Sequence, residues 1–153
     1  MEKIERVCWE ENIDSCIVVK TEIEKRNIPI NEAKILLVED KLSNRKTIEI
    51  YLRSRVGKVE IAENGKDAVE LFEKNQYDMV LMDLQMPIMG GIEAAQHIRK
   101  IEEETRDYKT PVIAFSANYF SSDKEVSIEV GMDAYISKPF QSKTLFNLME
   151  EYI

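Results

Sequence analysis

Residues 34–38 read KILLV, and this apolar run is followed at once by two acidic residues and then by an amphipathic stretch. The same alternation repeats along the chain. Further apolar runs lie at 59–62 (VEIA), 79–82 (MVLM), 111–115 (PVIAF) and 134–136 (AYI). Between the runs, apolar residues recur at helical spacing, as at Ala68, Leu71 and Phe72. Five successive strand and helix units predict an α/β fold with a doubly wound parallel sheet covered by helices on both faces.

Composition and charge restrict the classes of protein to which the chain can belong. Its 153 residues suit one main domain, and 44% hydrophobic with 33% charged residues exclude a wholly disordered chain. The net charge of -8 repels phosphate backbones and anionic lipids, so we expect no nucleic acid and no membrane among the partners. No apolar run approaches the roughly 20 residues that cross a bilayer, and the N-terminus lacks a secretory signal pattern. We therefore expect a cytoplasmic protein.

The first 33 residues do not follow the alternation of strands and helices. Lys3 to Glu11 is compatible with a helical turn or two, Ser15 to Glu24 fits either a strand or a helix, and Pro29 breaks whatever precedes it. We interpret residues 1–33 as an extension or linker and residues 34–153 as the main domain. Two roles for the extension stay open, namely docking on the domain or a partner, and tethering to a larger assembly.

Polar residues follow the strands in a repeated pattern. Glu39 and Asp40 come after the first strand, Asp83 after the third, Ser116 after the fourth, and Lys138 shortly after the fifth. In a doubly wound sheet, residues just past the carboxyl ends of the strands share one crevice. Carboxylates gathered there repel one another, so they hold protons or bind a cation. Oxygen ligands without Cys or His favour a hard ion, and Mg²⁺ is the expected cofactor.

A carboxylate beside Mg²⁺, with a lysine and a hydroxyl nearby, is suited to receive a phosphoryl group. The carboxylate attacks phosphorus, while the metal and the ammonium stabilise charge on the equatorial oxygens. Asp83 is the expected nucleophile because it stands alone after an apolar strand, whereas Glu39 and Asp40 form a metal-holding pair.

Four motifs in this order resemble the response-regulator receiver family of two-component signalling, and in particular receivers of the hybrid-kinase type. They are VED at 38–40, MDLQMPIMGG at 82–91, FSA at 115–117 and SKPF at 137–140. The resemblance runs from about Lys34 to the C-terminus. It implies a flavodoxin-like fold with five parallel strands in the order 2-1-3-4-5.

The resemblance also implies a role for each residue of the motifs. It makes Asp83 the phosphoacceptor, Asp40 a direct Mg²⁺ ligand and Glu39 a partner that holds the ion through water. Gln85 is expected to give a backbone carbonyl to the metal. Ser116, Lys138 and Tyr135 are expected to act as the hydroxyl that bonds the phosphoryl group, the salt-bridging ammonium before a cis proline (Pro139), and the aromatic switch.

By the same resemblance the phosphoryl group comes from a histidine kinase or a histidine phosphotransfer protein. Phosphorylation then changes the surface formed by the fourth helix, the fifth strand and the fifth helix, through which a homodimer is also expected. The chain is expected to promote only its own phosphorylation and slow dephosphorylation, and not to act as an enzyme on other substrates. Gln85 and Asn118 are neutral amides at positions that modulate attack of water, so we expect a long-lived phosphorylated form that Asn118→Glu would shorten.

Two alternatives belong to other functional classes. A phosphatase of the haloacid-dehalogenase type would need a second aspartate two positions after the nucleophile, where this chain has Gln85. A receiver-like module that binds partners without phosphorylation stays open. Dinucleotide binding is disfavoured because the turn after the first strand (residues 39–43, EDKLS) lacks glycine. The last predicted helix reaches the end of the chain, so we expect a stand-alone receiver or phosphorelay intermediate, or else a piece of a hybrid kinase.

Overall fold

A computed structural model of the chain describes the backbone of residues 4–9 and 17–21, and residues 25–117 and 122–153 in full. The described strands are β1 (Ile4–Trp9), β2 (Ile17–Thr21), β3 (Lys34–Val38), β4 (Lys58–Ala62), β5 (Met79–Asp83), β6 (Val112–Ser116) and β7 (Ala134–Ser137). The helices are α1 (Leu42–Arg53), α2 (Gly65–Lys74), α3 (Gly91–Thr105), α4 (Asp123–Glu129) and α5 (Ser142–Tyr152), with a short 3-10 helix at Ile30–Glu32. Within the described residues, none of the helices combines the length and the apolar character that a membrane span requires.

The sheet has the predicted parallel arrangement at its centre. Its described strands follow the order β1-β2-β7-β6-β5-β3-β4. Each of the five strands β3, β4, β5, β6 and β7 runs parallel to the others next to it. Counted from β3, this order is 2-1-3-4-5, so the predicted fold is confirmed. The carboxyl ends of all five parallel strands therefore lie along one edge of the domain.

Two hydrophobic clusters cover the two faces of the sheet. Side chains alternate along β3, so that Ile35 and Leu37 join the cluster under α1 and α5, while Leu36 and Val38 join the cluster under α2 and α3. Strands β5, β6 and β7 are buried along their whole length. A strand covered on both faces reads as a continuous apolar run, which explains why the short runs in the sequence located these strands.

The N-terminal extension forms two additional strands. Strand β1 pairs antiparallel with β2, and β2 pairs antiparallel with β7. The helical turn expected within Lys3–Glu11 is therefore wrong, whereas the strand alternative for Ser15–Glu24 agrees with β2. The β-branched run Ile17-Val18-Val19 favours an extended backbone, and the edge of β7 offers peptide groups with which that backbone pairs.

Candidate functional site

The parallel sheet brings the polar residues after its strands to one place. Glu39 and Asp40 follow β3 directly, and Asp83 is the last residue of β5. One oxygen from each of these three carboxylates lies within 4.8 Å of the other two. Such closely spaced negative charges need compensation from a proton, an ammonium or a bound cation.

Lys138 supplies part of this compensation. Its Nζ lies 2.8 Å from Oε2 of Glu39 and 3.3 Å from Oδ2 of Asp83. The ammonium also lies 4.9 Å from the centre of the Phe115 ring, within cation–π range. The Lys138 N–H donates to the Ser116 carbonyl at 2.8 Å, and the Lys138–Pro139 peptide bond is cis. Lys138 is thus fixed to the sheet by its backbone and to the carboxylates by its side chain.

Glu39 is the most deeply enclosed of the three carboxylates. Its side chain has no exposed surface, and Oε1 accepts a hydrogen bond from the Lys41 N–H at 3.1 Å. Burial raises the pKa of the Glu39 carboxyl above its usual range, and the neighbouring Asp83 raises that pKa further, while Lys138 opposes both effects. Burial is therefore the main cost of holding a charged carboxylate at Glu39.

Asp40 and Asp83 differ in how their oxygens are satisfied. Asp83 is 4% exposed, and its Oδ1 accepts the Gln85 N–H at 3.2 Å. Oδ1 of Asp40 is buried and has no hydrogen-bond partner among the described residues. A buried carboxylate oxygen without a donor, beside two further carboxylates, fits the donor set of a hard divalent cation such as Mg²⁺.

The loop after Asp83 folds tightly against the site. A Cβ on Gly91 would lie 2.3 Å from the Asp83 carbonyl oxygen, so only glycine allows α3 to begin this close to β5. Gly65, at the start of α2, donates its N–H to the Met89 carbonyl at 2.9 Å. Ile88 adopts a left-handed backbone (φ 72°) and is 78% exposed. These contacts fix the loop that carries Gln85.

Ser116 lies at the carboxyl end of β6, and Tyr135 lies within β7. Ser116 is the last residue of β6 and is opposite Ser137 in the parallel register. Tyr135 is 2% exposed and packs in the cluster under α2 and α3. Asn118 lies outside the described residues. The structure therefore brings Glu39, Asp40, Asp83 and Lys138 into contact distance and places Ser116 on the adjacent strand end.

Sequence reasoning did not identify Arg45 as part of this region. Its Nη1 donates to the Glu39 carbonyl at 3.3 Å and lies 3.3 Å from Oε1 of Glu63. Arg45 sits in the first turn of α1, where its side chain reaches back over the loop that carries Glu39 and Asp40. A basic residue in an amphipathic helix is usually solvent-exposed, so its type and position gave no signal.

Residues 35–150 match the family model described as the response regulator receiver domain. The chain belongs to this family. The receiver's curated relatives include the hybrid signal transduction histidine kinase I of Dictyostelium discoideum, which is 37% identical over 125 residues. That match covers 78% of this chain but only 7% of the relative, so the chain spans a small part of the length of that kinase.

Solved receiver domains share the fold of this receiver. One is the receiver domain of sensor histidine kinase PA1611 from Pseudomonas aeruginosa, with a magnesium ion coordinated in its active-site cleft. It is 34% identical with a TM-score of 0.70, and the match covers 79% of this chain and 97% of that one. Another comes from a co-crystal structure of the Saccharomyces cerevisiae histidine phosphotransfer protein Ypd1 with the receiver domain of Ssk1, at 28% identity and a TM-score of 0.73, covering 80% and 90% of the two chains.

Proposed function

We propose that this receiver takes a phosphoryl group from a phosphohistidine of a histidine kinase or histidine phosphotransfer protein onto Asp83, in a Mg²⁺-dependent reaction. One observation carries the proposal: the Asp83 carboxylate lies 3.3 Å from the Lys138 ammonium, in a group of three carboxylates with oxygens within 4.8 Å of one another. This is the arrangement that positions a nucleophile and stabilises the charge of a transferring phosphoryl group.

The proposed transfer is balanced in atoms and charge. An oxygen of Asp83 bonds to phosphorus as the bond from phosphorus to the imidazole nitrogen breaks, and the electron pair stays on that nitrogen. The product is an aspartyl phosphate, a mixed anhydride whose new charge lies next to Lys138. The ammonium, now shared between Glu39 and Asp83, would turn toward the phosphoryl oxygens.

The residues that would hold the metal are Asp40, Asp83 and the backbone carbonyl of Gln85, with Glu39 holding the ion through water. A bound Mg²⁺ would neutralise the carboxylates and the developing charge on the phosphoryl oxygens. The magnesium ion coordinated in the active-site cleft of the PA1611 receiver supports magnesium as the cation. The buried, unpartnered Oδ1 of Asp40 supports it from this chain's own residues.

Ser116 and Tyr135 are the proposed switch. The Ser116 hydroxyl would bond the new phosphoryl oxygens, and Tyr135 would respond to that movement, which would alter the surface of α4, β7 and α5. The burial of both side chains supports this proposal because each can move only with its neighbours. Dimerisation through that surface, a cytoplasmic location and the division at residue 33 stay predictions.

The receiver family supports a signalling phosphoacceptor in place of an enzyme that acts on other substrates. Among the donors, the complex of Ypd1 with the Ssk1 receiver supports a histidine phosphotransfer protein. The hybrid kinase of Dictyostelium supports a histidine kinase in the same way. Which donor serves this receiver is a question for transfer assays with purified phosphorylated proteins.

Intact mass spectrometry tests the proposal directly. The full chain is incubated with Mg²⁺ and acetyl phosphate, a small acyl phosphate, and we expect one phosphoryl group to be added. Asp83→Asn and removal of Mg²⁺ with a chelator should each abolish the addition. Asp107→Asn, at an exposed aspartate in the loop after α3, is the matched control and should be labelled like the parent chain. Labelling that survives Asp83→Asn would place the acceptor elsewhere and refute the proposal.

A further inference from the structure

The edge of β7 is already occupied by a segment of the same chain. We infer that β2 is a detachable cap that covers this edge, and that a phosphoryl group or its mimic at Asp83 weakens the pairing of β2 with β7. The inference rests on the proposed function for the source of the signal. It assigns to the extension an intramolecular docking site formed by the backbone of Ala134, Tyr135 and Ile136.

The register shows how the cap is attached. Val18 lies opposite Ile136, Val19 opposite Tyr135, and Lys20 opposite Ala134. Without β2, β7 would be the outer strand of the parallel sheet and would present unpaired N–H and C=O groups to any extended peptide. Strand β1 adds a second antiparallel pair on the far side of β2, so the cap is a two-stranded unit.

Downstream of β2, the chain is anchored to the domain at Arg26 and Ile28, which keeps the cap close to its docking site. Arg26, five positions after Thr21, lies 3.1 Å from Oδ1 of Asp78, and its guanidinium carbon lies 4.3 Å from the centre of the Tyr108 ring. The Ile28 N–H donates to the Ile153 carbonyl at 3.1 Å. A short anchored tether gives the cap a high effective concentration at the β7 edge, so the chain's own β2 is the expected occupant.

Strand β7 also connects the cap to the carboxylates. Lys138 follows Ile136 by two positions, its N–H is bonded to Ser116, and its ammonium lies between Glu39 and Asp83. In the structure, β2 is paired with β7 while Asp83 is unmodified. A phosphoryl group on Asp83 would draw the Lys138 ammonium toward its oxygens. Lys138 directly follows β7 in the chain, so this pull would act on the end of β7 next to the Val18–Ile136 pair.

The β2–β7 pairing lies at the edge of the parallel sheet, where a local change can shift it. In the described backbone, β2 pairs with β7 at three positions on the outer side of the parallel sheet. A pairing at the edge of a sheet can open locally without global unfolding. A ligand shifts such an equilibrium if it favours the undocked form, and docking then weakens the binding of that ligand by the same factor.

Hydrogen exchange on the full chain tests the inference. The probe is Mg²⁺ with beryllium fluoride, a phosphoryl mimic, and the readout is the exchange of backbone amides at 18–20 and 134–136. We expect exchange there to accelerate by at least about fivefold, the lower end of typical allosteric couplings. Amides of β3 should not change, and Asp83→Asn should remove the effect. Trp9 in β1 is the only tryptophan of the chain, so its fluorescence gives an independent report on the cap.

Two neighbouring proline variants test the reciprocal effect. Adjacent residues of a strand direct their N–H groups to opposite sides, so one of Val18→Pro and Val19→Pro removes a donor toward β7 and the other a donor toward β1. The variant that loses the donor toward β7 should undock the cap and strengthen beryllium fluoride binding by about the same factor that the mimic produces in the parent chain, whereas the variant that loses the donor toward β1 keeps the β7 pairing and is the matched control. Unchanged exchange of β3 amides shows that the domain stays folded.

The outcomes separate this inference from the proposed function. Phosphorylation of Asp83 with unchanged or slower exchange in the cap would overturn the inference and leave the function intact. Failure of phosphorylation would overturn the function and, with it, the link to the cap. Exchange at 18–20 as fast as in an unstructured peptide, or a dimer that the undocking proline variant dissociates, would overturn docking within one chain.

Discussion

The Lys138 ammonium donates to the fully buried Oε2 of Glu39 at 2.8 Å and lies farther, at 3.3 Å, from Oδ2 of Asp83. The closer ion pair is therefore with the carboxylate that is not the proposed nucleophile. This arrangement holds the ammonium beside Asp83 while leaving that carboxylate less strongly bound, and therefore available for attack on phosphorus.

Replacing Lys138 with Met should slow Mg²⁺-dependent phosphorylation of Asp83 by about 100-fold, the effect of removing one preorganised donor from a developing negative charge. Lys138→Arg keeps the charge and should recover part of the rate. The measurement is the initial rate of acetyl phosphate labelling. Lys143→Met, at an exposed position of α5, is the control. A Lys138→Met rate within a factor of about two of the control would contradict the role of the ammonium.

Replacing Asp40 with Asn should stabilise the metal-free chain by about 1 kcal/mol, because it removes one of three crowded negative charges from a functional site. The same change should abolish stabilisation by Mg²⁺, which in the parent chain should reach about 2.7 kcal/mol at a concentration 100 times the Kd. Urea unfolding with and without Mg²⁺ measures both effects.

The control for this experiment is Asp107→Asn, which changes the net charge equally at an exposed position outside the site. It should leave the response to Mg²⁺ unchanged. Retention of the full Mg²⁺ effect in Asp40→Asn would show that Asp40 is not a ligand.

Glu60 should make the stability of the chain depend on pH in the acid range. A hydrogen bond from the Tyr77 hydroxyl at 2.5 Å, aided by Lys34 and Lys58, lowers the pKa of Glu60 from 4.5 to about 2. A lowered pKa gives stability that is present above the unfolded value and is lost as pH falls from 4.5 toward 2. Glu60→Gln should therefore cost about 2 kcal/mol at pH 7, discounted for its partial exposure, and much less near pH 2.

Urea unfolding between pH 7 and pH 2 measures this difference. Glu49→Gln is the comparison, because Glu49 pairs with the exposed Arg53 on the surface of α1. That variant should differ from the parent by less than about 0.5 kcal/mol at every pH. An equal cost of Glu60→Gln at pH 7 and pH 2 would show that its carboxylate charge contributes nothing.

The two adjacent glycines before and at the start of α3 should respond differently to alanine. A Cβ at Gly91 would lie 2.3 Å from the Asp83 carbonyl oxygen, and a Cβ at Gly90 would lie 3.2 Å from the Leu84 carbonyl oxygen. Gly91→Ala should cost about 2–3 kcal/mol, since backbone must shift, and Gly90→Ala less than about 1 kcal/mol. Thermal unfolding of both variants checks this, and equal losses would contradict the close approach of α3 to β5.

The five parallel strands could be predicted because each is an apolar run bounded by polar residues. Burial of both faces of the sheet leaves few positions in such a strand for polar side chains. The residues of the site could be located because parallel strands align their carboxyl ends. The pairing of β2 with β7 could not be predicted, since it joins Val18 to Ile136 across more than a hundred positions and the local pattern of Ser15–Glu24 allowed strand and helix equally.

The ion-pair network around Arg99 also escaped prediction. Arg99 bonds Oδ2 of the fully buried Asp133 and the Thr110 carbonyl, each at 2.8 Å, and reaches Glu102 on its own helix. In the sequence these are ordinary charged residues of a helix and a loop. Only the packing of α3 against the starts of β6 and β7 turns them into a buried cluster.

Arg99 and Asp133 lie at the opposite end of the sheet from Asp83, beside the amino ends of the strands. The same holds for Asp78, whose Oδ2 accepts the Lys34 N–H at 2.8 Å. The end of the sheet near Asp83 thus holds carboxylates that repel one another, whereas the other end holds oppositely charged side chains that form ion pairs between elements. The proposed chemistry and the ion pairs that join the strands therefore lie at opposite ends of the sheet. Substitutions that strengthen those ion pairs can be made without changing the residues around Asp83.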